Sequence, residues 1–150
     1  MLFRSGEFLS AQDGAEVLAL SEKGQFNFAS VDSLGSISHQ NDYMQKHIDA
    51  ILALPLVNKA SIEAANFHIV VDAVNSTGGI FVPALLAALG VKKIERLYCE
   101  PTGHFPHNPE PLPEHLGDLS KEIISKKADL GITVDPDVDR LAMVCEDGSM

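Results

Sequence analysis

The stretch DPDVDR, residues 135–140, places three carboxylates at alternate positions, Asp135, Asp137 and Asp139, with Arg140 directly behind them. Ionised carboxylates this close repel one another, so either a cation compensates them or the segment is fully solvated. Oxygen-only ligands on a tight loop suit a hard divalent cation, Mg²⁺ or Ca²⁺, rather than zinc or copper. Mg²⁺ commonly keeps positions open for water or a phosphate oxygen. Arg140 then stands where it can pair with that phosphate.

Three other chemistries compete for the same residues. An EF-hand loop also opens with alternating Asp, and Glu146 falls at the twelfth position. The sixth position of that loop needs Gly for its sharp turn, however, and here it is Arg140. GITVDPD resembles the strand and paired Asp of a haloacid-dehalogenase-type phosphotransferase, but that fold needs further Lys and Asp motifs downstream. An acidic, solvated hairpin turn is the plainest alternative, since Asp and Pro are ordinary turn residues. Three alternating Asp with an Arg after a buried strand favour the cation site.

Other residues invite chemistry and have simpler readings. His104 and His107 lie in HFPHNPEP, which reads as a proline-stiffened surface loop. NSTGG, residues 75–79, opens a helix and offers backbone N–H groups to an anion. It lacks the dinucleotide and Walker patterns. A turn-plus-cap role fits it, with Gly78 and Gly79 allowing close backbone approach. Asp72 ends a strand and reads as a turn or capping residue. Ser38 and His39 sit in a Gly/Ser-rich break. Cys99 and Cys145 form no CxxC or zinc spacing and read as buried free thiols, Cys145 as a core strand residue.

The elements that must carry these residues can be read from periodicity. DGAEVLALSEKG predicts a short helix with Asp13 as N-cap, Glu16 three residues on and Gly24 as stop. NDYMQKHIDAILALP predicts a helix over about 41–54, ended by Pro55. FHIVVDA, IERLYCE and ADLGITVD read as strands, with helices GIFVPALLAALG and PEHLGDLSKEIISKK between them. Alternating strands and helices predict a parallel α/β sheet with helices on its faces. RLAMVCEDG is a fourth strand. The PDVD link is too short for a crossover, so it should pair antiparallel with the third. The acidic loop therefore belongs at the carboxyl edge of the sheet, where open α/β sheets bind ligands.

Bulk properties narrow the classes. The chain has 150 residues, 45% hydrophobic, with net charge −10 and pI about 4.8. Mean hydropathy is +0.07, which suits a packed core. No Lys/Arg run makes a nucleic-acid surface. No apolar stretch reaches membrane-spanning length, and MLFRSGEFLS lacks a secretory core, so a cytoplasmic protein is expected.

Together these motifs resemble a known family. DPDVDR is similar to the metal loop of the α-D-phosphohexomutases, usually D-G-D-x-D-R, with Pro136 where Gly is common. FHIVVDAVNSTGG resembles the first strand and turn of that family's second domain. EPTGHFPHNPEPLPEHL resembles its GxFPxxxPxP loop, and GEFLSAQDGAEVL the close of its first domain. The resemblance implies an α/β/α domain two at 60–150, preceded at 1–59 by the end of domain one and a helical linker. Domains one, three and four would lie outside this chain. It implies Mg²⁺ held by Asp135, Asp137 and Asp139, and Arg140 as the catalytic contact to a phosphoserine. The phosphoserine loop of the family, similar to TASHNP, has no match here; SISHQN lacks its proline. The implied parent is a mutase moving phosphate between C1 and C6 of glucosamine, glucose or mannose phosphate. The NPEP form leans toward glucosamine. The domain alone is expected to be inactive. The competing expectation is a non-catalytic cation-binding or interaction module.

Overall fold

The computed structural model describes residues 6–24 and 26–150. The chain divides into two compact units, one up to His39 and one from Gln40 to Met150. In the first, helix α1 (Ala11–Lys23) starts from a capping box: the Ser10 hydroxyl accepts the Asp13 N–H, and the Asp13 carboxylate accepts the Ser10 N–H. Asp13 is thus the third helical residue rather than the cap. Gly24 ends the helix in the left-handed region, as expected. A single 3-10 turn follows at Val31–Ser33. The start of the segment read for a secretory signal, residues 1–5, lies outside the described residues.

The second unit begins at Gln40, ahead of the division expected at 59/60. Helix α2 (Tyr43–Leu52) belongs to it, burying Ile48 and setting the His47 ring edge-on to Phe81. Helix α3 (Lys59–Ala65) was not anticipated. It is capped by the Asn58 side chain, which accepts the Ser61 N–H, and left-handed Asn66 ends it. Four strands follow: β1 (His68–Asp72), β2 (Lys93–Leu97), β3 (Leu130–Val134) and β4 (Leu141–Cys145). Helix α4 (Gly78–Ala88) lies between β1 and β2, and α5 (Gly117–Lys126) between β2 and β3.

The sheet order is β2-β1-β3-β4, with β1 parallel to both neighbours and β4 antiparallel to β3, as the short link requires. Alternation along β1 feeds two cores. Ile69 and Val71 pack with Val82 and Leu86 of α4, while Val70 packs with Leu119 and Ile123 of α5. The architecture is the expected three-layer α/β/α.

One strand departs from expectation. Cys145 is exposed, not core. Val144 faces the α5 layer and is fully buried, so Leu141, Met143 and Cys145 face the other way. Helix α4 packs on β1 and β2 and leaves that side of edge strand β4 open. Both cysteines are free; Cys99 is half-buried.

Candidate metal centre

The three parallel strands end on one edge, and each delivers a loop there. The loop after β3 is DPDVDR. It is closed at its base by the Asp135 N–H donating to the Arg140 carbonyl at 3.3 Å. Asp135 is fully buried, whereas Asp137 and Asp139 are exposed. One oxygen from each carboxylate lies within 4.8 Å of the others, the one such group of three among the described residues. The sequence-selected residues are therefore brought together.

Arg140 folds back onto Asp135. Its backbone N–H donates to Oδ1 at 3.1 Å and its Nε–H to Oδ2 at 2.8 Å. Its Nη1 donates to Glu110 of the proline-rich loop, and Asp139 stands 3.6 Å from Nε. Burial works to raise the Asp135 pKa, but the Arg140 N–H and guanidinium outweigh it and hold the carboxyl below its usual range. Asp139 moves the other way. Its hydrogen-bond contact with Asp135 and the charge of Asp137 push it up. The two carboxyls are pushed apart because Arg140 serves Asp135 while Asp139 faces the like charges of Asp135 and Asp137. An all-oxygen set, with Asp135 buried and Asp137 and Asp139 exposed, fits a hard divalent ion.

The proline-rich loop is more than a surface feature. His107, expected to be merely part of it, is largely buried, and its Nδ1–H donates to the Asn108 carbonyl at 2.8 Å. Its Nε2 therefore meets Asp72 Oδ2, at 2.9 Å, across a shared proton. Asp72 is fully buried, and burial raises its pKa against the opposing pull of the Val74 N–H and His107. Its Oδ1 accepts the Val74 N–H at 3.0 Å, the turn role expected for it. The signal for His107 was available: an Asp ending a buried strand needs a partner. His104 contributes only its backbone, accepting from the Asn75 side chain at 3.1 Å.

The NSTGG turn also does something the sequence did not show. Thr77 stands at the N-cap of α4, yet its hydroxyl makes no capping bond. It donates instead to the Pro136 carbonyl at 3.2 Å, and the Ser76 hydroxyl donates to the same oxygen. The close approach expected at the two glycines is present. A Cβ on Gly78 would lie 2.5 Å from Val134 Cγ2, and one on Gly79 2.2 Å from the Cys99 carbonyl oxygen.

Residues 45–148 match the family described as phosphoglucomutase/phosphomannomutase, alpha/beta/alpha domain II, and the chain belongs to that family. It is 33% identical over 126 residues to a probable phosphoglucosamine mutase of Methanopyrus kandleri, covering 83% of this chain and 26% of that protein. A phosphoglucomutase of Neisseria gonorrhoeae is 33% identical over 147 residues, covering 97% of this chain and 30% of the relative. Among solved structures, a phosphoglucomutase/phosphomannomutase family protein of Burkholderia thailandensis superposes with TM-score 0.74 at 26% identity, over 95% of this chain and 29% of that one. The chain thus spans less than a third of the length of these relatives.

Proposed function

We propose that this domain supplies the divalent-cation half-site of a phosphohexomutase that moves phosphate within a hexose phosphate by way of a phosphoserine. The observation that carries the reading is the convergence of Asp135, Asp137 and Asp139 at the carboxyl edge of the sheet, with Arg140 held beside them. Those three carboxylates would hold Mg²⁺, which when bound would neutralise charge on the transferring phosphoryl group. Asp135 is the fixed ligand, oriented through both oxygens by Arg140. Asp137 and Asp139, both exposed, would complete the set from the solvent side. Arg140 is the phosphate handle: with Nε on Asp135, its outer nitrogens can exchange Glu110 for a phosphate oxygen. The phosphoserine and the sugar-selecting groups would come from other domains, and residues before the compact unit would close the preceding one. The relatives' names favour glucose, mannose or glucosamine phosphate as substrate. Among the described residues no helix is long and apolar enough to cross a membrane.

The test is a titration of Mg²⁺ and Mn²⁺ into wild type and Asp137→Ala, following loop resonances. Weak binding is expected in wild type, since three carboxylates without a phosphate ligand only partly satisfy the ion, and a marked loss in the variant. Wild-type loop resonances that stay put at high metal concentration would remove the basis of the half-site.

A further inference from the structure

We infer that Ser76 and Thr77 are positioning residues for the cation loop, setting through the Pro136 carbonyl where Asp137 leaves the loop. The inference rests on the reading of Asp135, Asp137 and Asp139 as cation ligands. Pro136 lies between the first two of these. Its ring fixes one backbone dihedral, but its carbonyl can still rotate. Both lone pairs of that carbonyl are taken, one by the Ser76 hydroxyl and one by the Thr77 hydroxyl at 3.2 Å. The plane of the Pro136–Asp137 peptide is thereby fixed from outside the loop.

The loop needs such a hold. Val138 adopts φ 64°, a left-handed conformation that a β-branched residue seldom takes. Strain of this kind persists only where the surroundings over-determine it. Mutual repulsion of the carboxylates also works to open the loop. Inside it, the Val138 N–H to Asp135 carbonyl bond, at 3.2 Å, and the Asp135–Arg140 bonds at its base oppose opening, and none of these holds the Pro136 carbonyl.

The turn that presents the two hydroxyls is equally over-determined. Val74 and Asn75 are both left-handed, at φ 44° and 55°. Asp72 holds the Val74 N–H, the Tyr98 carbonyl accepts the Asn75 N–H at 2.6 Å, and Gly103 donates to the Asn75 carbonyl at 3.0 Å. The turn is thus pinned by β1 and by the loop after β2 before it touches the acidic loop. The absence of a Cβ at Gly78 lets the helix start press against Val134, with Val138 Cγ2 3.5 Å from where that Cβ would lie. Thr77 gives up capping its own helix to make this contact. A free carbonyl at Pro136 would be tolerated by a solvated turn. Two side-chain donors on it indicate that its direction matters.

Mn²⁺ affinity, read by electron paramagnetic resonance, tests this on the whole chain. Ser76→Ala/Thr77→Val is expected to weaken Mn²⁺ binding on the order of tenfold, the usual effect of removing a group that orients ligands. Ser76→Thr, which keeps the hydroxyl, should bind like wild type. Amide resonances of β1, β2 and α5 should be unmoved in all variants. If the double variant does not fold, Ser76→Ala alone should still weaken binding about threefold. A merely structural role would lower the thermal midpoint and leave Mn²⁺ affinity intact, and that result overturns the inference while the cation reading stands. A wild type that ignores Mn²⁺ overturns both, and the wild-type titration alone distinguishes that case.

Discussion

Asp135 is the residue at which burial and charge conflict most directly. It is fully buried, yet two hydrogen bonds from one arginine keep it ionised. Cys99 shows burial winning instead. Its thiol donates to the Val71 and Leu97 carbonyls at 3.4 Å, and burial pushes its pKa up to about 11. The fold favours the protonated thiol. That contribution is complete below the ordinary value of 9.0 and is lost as pH rises through about 11. Alkylation with iodoacetamide at pH 8 should label exposed Cys145 first, with Cys99 at least roughly tenfold slower because so little thiolate is present. Mass spectrometry decides this, and equal rates would contradict the burial account. At this scale the acidic triplet was legible because its members are neighbours in the chain. His107 and Ser76 were not, because their partners Asp72 and Pro136 lie 35 and 60 positions away.

At the scale of elements, the strands and α4 were legible because they are short β-branched or apolar runs bounded by Asp, Gly and Pro. Helix α3 was not. KASIEAA offers a single large apolar residue, Ile62, too little to show a period, and the helix forms because Ile62 packs on the α4-side core. The sequence likewise marked Asp13 as a cap, though Ser10 at the right offset takes that place. Contact between elements is where spacing tells least. Gly79 brings α4 against the backbone after β2, where a methyl would sit 2.2 Å from a carbonyl oxygen. A rigid backbone cannot yield as a side-chain tip can. Gly79→Ala is therefore expected to cost about 3 kcal/mol or more, lowering the thermal midpoint on the order of 10 °C. A midpoint within a degree or two of wild type in calorimetry would mean that α4 can slide, and that its registry on the sheet is loose.

For the whole molecule, the division of burial is uneven. Among the described residues, every buried hydrophobic one, from Ile48 to Val144, belongs to the second unit. Among the described residues before Gln40 none is buried, and Phe8, Phe28, Val31 and Ile37 are each more than four-fifths exposed. Hydrophobic burial is the main favourable term in folding, so a segment that buries nothing adds little to stability. Its large apolar side chains instead stay at the surface. The chain cut to residues 40–150 should accordingly keep cooperative unfolding, with a midpoint within about 4 °C of the full chain, equivalent to less than about 1 kcal/mol. It should respond to Mn²⁺ as the full chain does, because the acidic loop, the Ser76 turn and the proline-rich loop all lie within it. It should also associate less in sedimentation, having lost the exposed Phe and Ile residues. A fall of more than about 10 °C, or loss of dispersed amide resonances, would show that the first unit supplies stability that its exposed side chains do not reveal.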